Sequence, residues 1–430
     1  MKIAHFKREI NPEPGAYIAG YSLNDKSVGK VADLYMSGLC ADDGVNKVLI
    51  ISFDLLGMDE WYTRALRQKC ADILGITAEA VLFTCTHTHS GPESRTLGRS
   101  PQQLNKPYLE KLEKAILEET EKLTDFKECS VYFYSQKCDE NRNRRYITPC
   151  NNASFTAHRR EVLPIALEYA DKELGQLIFI NSETRLPEYV IGNYAAHALA
   201  GHGPGIGGRR ISPDYPGFFR DYVTSETGAD CMFISGAAGD LIPKEDELGT
   251  AAAVKMGENL GKAALAGMCD APRNPARFLM KEAKVGAKSK IVTVPLRKKK
   301  VERLSAYYEG REALDLEIQI VSIGDCCFIG VPGELCCEIG QEMKWHSPFR
   351  KAWIAYNSTA YLSYIGHANM LVSGGYEGGA QYFTARGGLA LVNTAVDAMF
   401  ELHDELYPQE DGDIYPDNHI PQLVNIPANR

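Results

Sequence analysis

The stretch Val81-Leu82-Phe83-Thr84-Cys85-Thr86-His87-Thr88-His89-Ser90-Gly91-Pro92 decides how this chain is read. Its apolar opening predicts a buried strand, and Gly91-Pro92 stops that strand. Side chains two apart on a strand share a face, so His87 and His89 are expected to project together where the strand ends. Neutral imidazole is the commonest metal ligand among side chains, and residues on loops carried by a rigid scaffold often hold the chemistry. The competing reading is an ordinary turn in which both histidines bond to backbone. This motif alone does not separate the two.

Outward from it, strand-like and helix-like stretches alternate. Strands are expected at Lys47 to Phe53, Ser130 to Tyr134, Gln176 to Asn181, Tyr189 to Tyr194 and Cys231 to Ser235, with a hairpin from Glu317 to Val331 about Gly324-Asp325. Helices are expected at Asp59 to Leu74, Ala251 to Met268 and Ala390 to Leu406. Another spans Tyr108 to Leu123, where Leu109, Leu112, Ile116 and Leu123 form one apolar stripe. This alternation predicts an α/β (mixed α+β) fold of mixed sheets covered by helices. Asp270-Ala271-Pro272-Arg273-Asn274-Pro275 is the plausible internal break. Candidate chemistry lies on both sides of it, so one domain over residues 1–430 is expected.

The 430 residues are 44% hydrophobic and 24% charged, a folded globular composition. A net charge of −9 opposes a nucleic-acid partner. The basic run Arg297-Lys298-Lys299-Lys300 carries no aromatics for stacking and is expected to be a solvated turn. No apolar run approaches the roughly 20 residues of a membrane helix, and Met1-Lys2-Ile3-Ala4-His5-Phe6 shows no secretory pattern. The twelve cysteines include no CxxC, and Cys326-Cys327 and Cys336-Cys337 sit in apolar runs. Reduced thiols and a cytoplasmic protein are expected.

Four later segments join the histidine motif. They are Gly192-Asn193-Tyr194-Ala195-Ala196-His197, Ser235-Gly236-Ala237-Ala238-Gly239-Asp240-Leu241-Ile242-Pro243, and Val331-Pro332-Gly333-Glu334, expected as a strand running into a helix. The last is Tyr361-Leu362-Ser363-Tyr364-Ile365, followed by Gly374-Gly375-Tyr376-Glu377-Gly378-Gly379. In this order and rough spacing, the five resemble the catalytic domain of the neutral/alkaline (non-lysosomal) ceramidase family. Ile10-Asn11-Pro12-Glu13-Pro14-Gly15 through Gly20-Tyr21 is similar to that domain's first strand and turn.

The resemblance implies a Zn2+ ion held by His87, His197, Glu334 and Tyr364, with His89 next to the ligands. It implies an arginine at Arg144 or Arg142, of which Arg144 is preferred. Asp240 joins His89 and Arg144 as a catalytic candidate, and Tyr361 and Tyr376 are candidate substrate contacts. Zinc accepts nitrogen and oxygen ligands, keeps a position open at catalytic sites and lowers the pKa of its bound water to about 7. Taken singly, Glu334 also reads as a carboxylate favoured by a helix start, Tyr364 as a core tyrosine and His197 as a satisfied buried histidine. Those readings together require independent coincidences.

One departure matters. Gly239-Asp240-Leu241-Ile242-Pro243 places isoleucine where the family's turn carries a serine associated with amide cleavage. Metal-activated water attacking an amide or related acyl bond in a small molecule other than ceramide is therefore expected. The family's C-terminal β-sandwich is not expected. A metal-dependent phosphoester or sugar-modifying enzyme, and a ceramidase-like binding protein without turnover, are the alternatives. The loop Gly201-His202-Gly203-Pro204-Gly205-Ile206-Gly207-Gly208 lacks the lysine and spacing of a P-loop. Arg209 and Arg210 after it are expected to favour an anionic group on the substrate. Asp214 either orients a ligand histidine or caps the helix expected at Phe218 to Ser225.

Overall fold

The computed structural model describes residues 1–20, 25–95, 105–147, 153–155, 165–166, 169–201, 209–245 and 247–408. An eight-stranded sheet runs in the order Asp230–Ser235, Pro187–Tyr194, Glu173–Asn181, Lys127–Lys137, Lys2–Glu9, Tyr35–Asp42, Lys47–Phe53, Val81–Cys85. It is antiparallel inside and parallel at its two edge pairs. A four-stranded sheet is built from Val285–Pro295, Ala313–Ile323, Cys326–Gly330 and Lys351–Ala355, the last pair parallel. This is the expected α/β architecture of mixed sheets covered by helices.

Strand alternation explains the layering. Val48 and Ile50 pack against Val321, Phe328 and Trp353 of the smaller sheet. Leu49, Ile51 and Phe53 point the other way, into a cluster with Leu66 and Cys70 of helix Glu60–Leu74 and Leu112 and Ile116 of helix Lys106–Glu121. Ile178 and Ile180 likewise lie beneath helices Asp214–Thr227 and Thr250–Arg273. Helix Arg386–Leu406 covers the outer face of the smaller sheet. The order through the molecule is helix, sheet, sheet, helix. Inner strands are buried on both faces, which is why they read as nearly continuous apolar runs.

The large sheet curls until its edges meet. Ser52 Oγ donates to Phe233 O (2.6 Å), and Ser235 Oγ donates to Thr86 O (2.9 Å). The Tyr356 N–H donates to Ser235 O (3.0 Å), and Thr84 Oγ1 to Tyr356 O (2.8 Å). The carboxyl ends of the parallel strands therefore converge, and it is outside such ends that α/β folds collect ligands.

Three expectations shift. The helix expected to stop before the Pro272 segment continues through it to Arg273 and ends at Asn274. The basic run is not a solvated turn. Arg297 donates to Gly378 O (2.7 Å) and Gln381 O (2.9 Å), helix Lys298–Tyr308 follows, and Lys300 is buried with its ammonium over the Tyr382 ring. Glu334 does not open a helix. It pairs in a short parallel ladder with Tyr364, and the helix begins at Cys337. The eleven cysteines among the described residues are free, and no described helix is long and apolar enough to cross a membrane.

At the amino ends of the 187–194 and 230–235 strands, His5 is held between two carboxylates. Its Nδ1 lies 3.0 Å from Asp230 Oδ2 and its Nε2 3.2 Å from Glu188 Oε1. Burial acts to lower the imidazole pKa, but the bonds to Asp230 and Glu188 outweigh it and raise the pKa above 6.5. A raised folded-state value gives stability that is full below the unfolded pKa and is lost as pH rises through the folded one. His5→Gln is therefore expected to trail the wild type in urea denaturation more at about pH 6 than at about pH 9. A gap independent of pH would refute the clamp.

Candidate functional site

The strand before the first histidine ends at Cys85, two residues short of His87. His87 adopts φ +67, a left-handed conformation costly for a non-glycine residue. Bonds from the Thr86 N–H to Phe53 O and from the His87 N–H to Leu55 O, both 2.9 Å, hold the turn. Strand alternation therefore does not bring the two histidines together. The turn does, placing their Nε2 atoms 3.2 Å apart with rings nearly perpendicular at 87°.

His87 Nδ1 lies 2.8 Å from Leu56 O. A carbonyl only accepts, so Nδ1 carries a proton there and Nε2 points inward. The Asn357 amide lies 2.9 Å from the same Nδ1. His197 repeats the arrangement, with Nδ1 at 2.6 Å from Ala238 O and 3.1 Å from Leu241 O. Its Nε2 is buried and finds no hydrogen-bond partner among the described residues. Burial first, then the Arg144 charge, lowers the His197 pKa to about 4, so the ring is neutral. His87, His89 and His197 offer three ring nitrogens within 4.8 Å of one another.

Glu334 closes the cluster. Its Oε2 lies 3.3 Å from His197 Nε2 and 3.5 Å from His87 Nε2. The first separation is short, but its angles do not make a hydrogen bond. Burial works to raise the Glu334 carboxyl, and the adjacent His87 and His197 pull it well below the ordinary carboxylate range. Tyr361 donates its hydroxyl to Oε1, and Tyr356 donates to Oε2 at 3.4 Å. Gly239 lets the backbones approach, since a Cβ there would lie 2.7 Å from Glu334 O.

Tyr364 stacks on His197 with ring centroids 6.4 Å apart. Its hydroxyl accepts from Arg144 Nη2 at 3.0 Å. Burial pushes this phenol well above its ordinary range, with Arg144 opposing. Arg144 is buried, donates from Nε to Glu377 (2.6 Å) and from Nη2 to Gly239 O (2.9 Å). Arg142 instead pairs with Ile242 in the ladder of Leu241–Pro243 and Asn141–Asn143. Tyr376 lies at the rim, 52% exposed, with its ring edge-on to Tyr364 at 5.5 Å.

The structure thus gathers His87, His89, His197, Glu334, Tyr361, Tyr364 and Arg144. Asp240 is near but turned away. Its carboxylate accepts from the Cys337 N–H (2.8 Å) and Asn143 Nδ2 (2.9 Å), fixing the turn whose carbonyls receive His197 Nδ1. Among the described residues, Asp214 bonds to no histidine. It accepts from the backbone amides of Ala200 (3.1 Å), Gly201 (2.7 Å) and Tyr215 (2.7 Å), anchoring the chain that leaves His197. Burial raises its pKa to about 6. Arg209 leads into a short ladder in which exposed Arg210 pairs with Gly29, and among the described residues neither arginine bonds to His87, His89 or His197. Residues 202–208 of the glycine-rich loop lie outside the described residues.

Tyr356, Asn357 and Glu377 were not singled out from sequence. Tyr356 and Asn357 follow the apolar strand Lys351–Ala355, which was not marked from sequence, while Glu377 stands in a glycine-rich run. Only the position of Tyr356 and Asn357 just past that strand's carboxyl end could have pointed to the site.

No family model matches the sequence, and no curated protein matches it. Among solved structures the chain is similar to neutral ceramidase from Pseudomonas aeruginosa, with a TM-score of 0.73 at 17% identity over 97% of this chain and 76% of that one. It is also similar to a ceramidase complexed with C2, with a TM-score of 0.77 at 16% identity over 97% of this chain and 77% of that one. The expected ceramidase-like fold is the fold observed.

Proposed function

We propose that this ceramidase-like fold carries a zinc-dependent hydrolase that cleaves an amide or related acyl bond in a small molecule. The observation that carries the reading is the inward pair of Nε2 atoms, 3.5 and 3.3 Å from Glu334 Oε2, with both Nδ1 atoms turned outward to backbone carbonyls. Neutral imidazoles with an ionised carboxylate are the donor set a divalent cation requires. In this reading His87, His197 and Glu334 hold the ion, with Tyr364 and His89 beside it. When bound, zinc supplies a Lewis acid and water activated near neutral pH.

The chain's own groups do the remainder. His89, with its Nε2 beside that of His87, is placed to hold a proton at that nitrogen. Arg144 keeps a fixed cation against Tyr364, where it can stabilise negative charge developing on a substrate oxygen. Ile242 offers no nucleophile, which leaves water as the attacking group. Asp240 supports His197 through its turn rather than touching substrate. Tyr376 at the rim, and Arg209 and Arg210 for an anionic group, are the proposed substrate contacts. The ligands span both sides of the Asp270 segment, which favours one catalytic unit. Free thiols favour a reducing, cytoplasmic setting.

The test is metal analysis of purified protein with a screen of N-acyl amino acids, N-acyl amino sugars and small esters. About one zinc per chain is expected, removable by chelator, with hydrolysis lost in His87→Ala. Metal with phosphatase activity alone, or metal without turnover on any substrate, would overturn the reading.

A further inference from the structure

We propose that Tyr361, clamped by Arg95, is a positioning residue that occupies one oxygen of Glu334 and reserves the other for the cation. This rests on the metal reading above. The Tyr361 hydroxyl donates to Glu334 Oε1. Oε2, which takes only the longer bond from Tyr356 (3.4 Å), is the oxygen that faces His87 Nε2 and His197 Nε2. A carboxylate left alone rotates and presents either oxygen or both. A hydroxyl fixed on one of them removes that freedom before any ion arrives.

The tyrosine is itself held from several sides. The Arg95 guanidinium sits 4.3 Å from its ring centroid, and the His87 ring stacks on it at 6.1 Å and 22°. Arg95 is fixed in turn, with Nε on Glu93 Oε1 (2.8 Å) and Nη2 on Glu93 Oε2 (3.0 Å), both residues buried. A Cβ at Gly57 would lie 2.6 Å from the Tyr361 ring, so glycine there makes the room it occupies. Ser94 Oγ donates to Gly57 O (2.7 Å), which ties that loop to the Glu93–Arg95 segment. A buried ion pair is a costly way to hold a hydrophobic contact. A cation over an aromatic face is a direct way to hold a phenol in one place.

The experiment is zinc affinity by competition with a chromophoric chelator, with thermal unfolding of the metal-free proteins alongside. Tyr361→Phe keeps the ring and removes the hydroxyl. It is expected to weaken zinc binding about 10–100-fold, the range for partners behind a ligand, with metal-free unfolding lowered only by the one hydrogen bond lost at Glu334 Oε1. Arg95→Gln is expected to weaken binding as well, and Arg95→Lys, which keeps a cation on the ring, to restore most of it. The double variant Glu93→Gln/Arg95→Gln leaves no buried charge alone, so it folds independently of that problem and should match Arg95→Gln. Undiminished affinity in Tyr361→Phe, or Arg95→Lys as weak as Arg95→Gln, overturns the assignment and leaves the metal reading standing. A wild type that takes up no zinc overturns both.

Discussion

Glu334→Gln is expected to lose zinc and hydrolysis together while keeping the fold. The glutamine has nearly the same shape, so the buried space is filled. It lacks the charge that balances a divalent cation, and its amide nitrogen has no lone pair to offer. The weakening should exceed the roughly 100-fold upper range for partners behind a ligand. Metal-free protein should stay folded, with at most a modest loss of stability, because the amide fills the same space and keeps an oxygen that can accept from Tyr361. Metal content after dialysis and urea unfolding of the metal-free protein check both parts. A Glu334→Gln protein that keeps stoichiometric zinc would remove Glu334 from the ligand set.

Arg220→Ala is expected to cause the largest loss of stability from a single change. Arg220 and Asp54 are fully buried and form a two-pronged pair at 2.8 and 2.5 Å. Asp54 also accepts from the Tyr35 N–H (2.8 Å) and Thr86 Oγ1 (3.2 Å). Removing the arginine strands a carboxylate in the interior, a change that costs about 3–5 kcal/mol. Because Thr86 precedes His87, zinc affinity should fall in the same variant. Asp54→Asn/Arg220→Met, which leaves no buried charge, should recover most of the stability. Urea denaturation measures both, and a loss below about 1 kcal/mol in Arg220→Ala would show that water or relaxation already neutralises Asp54.

The elements of the fold were largely readable because their signals are local. The continuous apolar run in Lys47–Phe53 and a helical stripe in Lys106–Glu121 each lie within a few residues. The boundary errors have the same origin. Pro272 was read as a stop, yet it stands in the last turn of a helix already held by packing. Arg297 was read as solvated, yet carbonyls from residues 378 and 381, far along the chain, receive it.

The site divides along the same line. The His87-His89 pair stood out in the chain because imidazole is a ligand by its own chemistry, whereas His197, Glu334 and Tyr364 were named only through the resemblance to the ceramidase family. The choice between Arg142 and Arg144 was not legible in the chain. It is made by the ladder that pairs Arg142 with Ile242 and releases Arg144 beyond its end toward Glu377 and Tyr364.

The sequence by itself determined the strands, the helices and the kinds of donor atom available, since periodicity and side-chain chemistry are local properties. Only the tertiary structure decided which nitrogen of each imidazole faces inward, that Asp240 serves a turn, and that Tyr361 takes one oxygen of Glu334. Those outcomes depend on carbonyls and hydroxyls delivered from distant strands, and no short-range pattern in the chain encodes where a curled sheet brings its edges together.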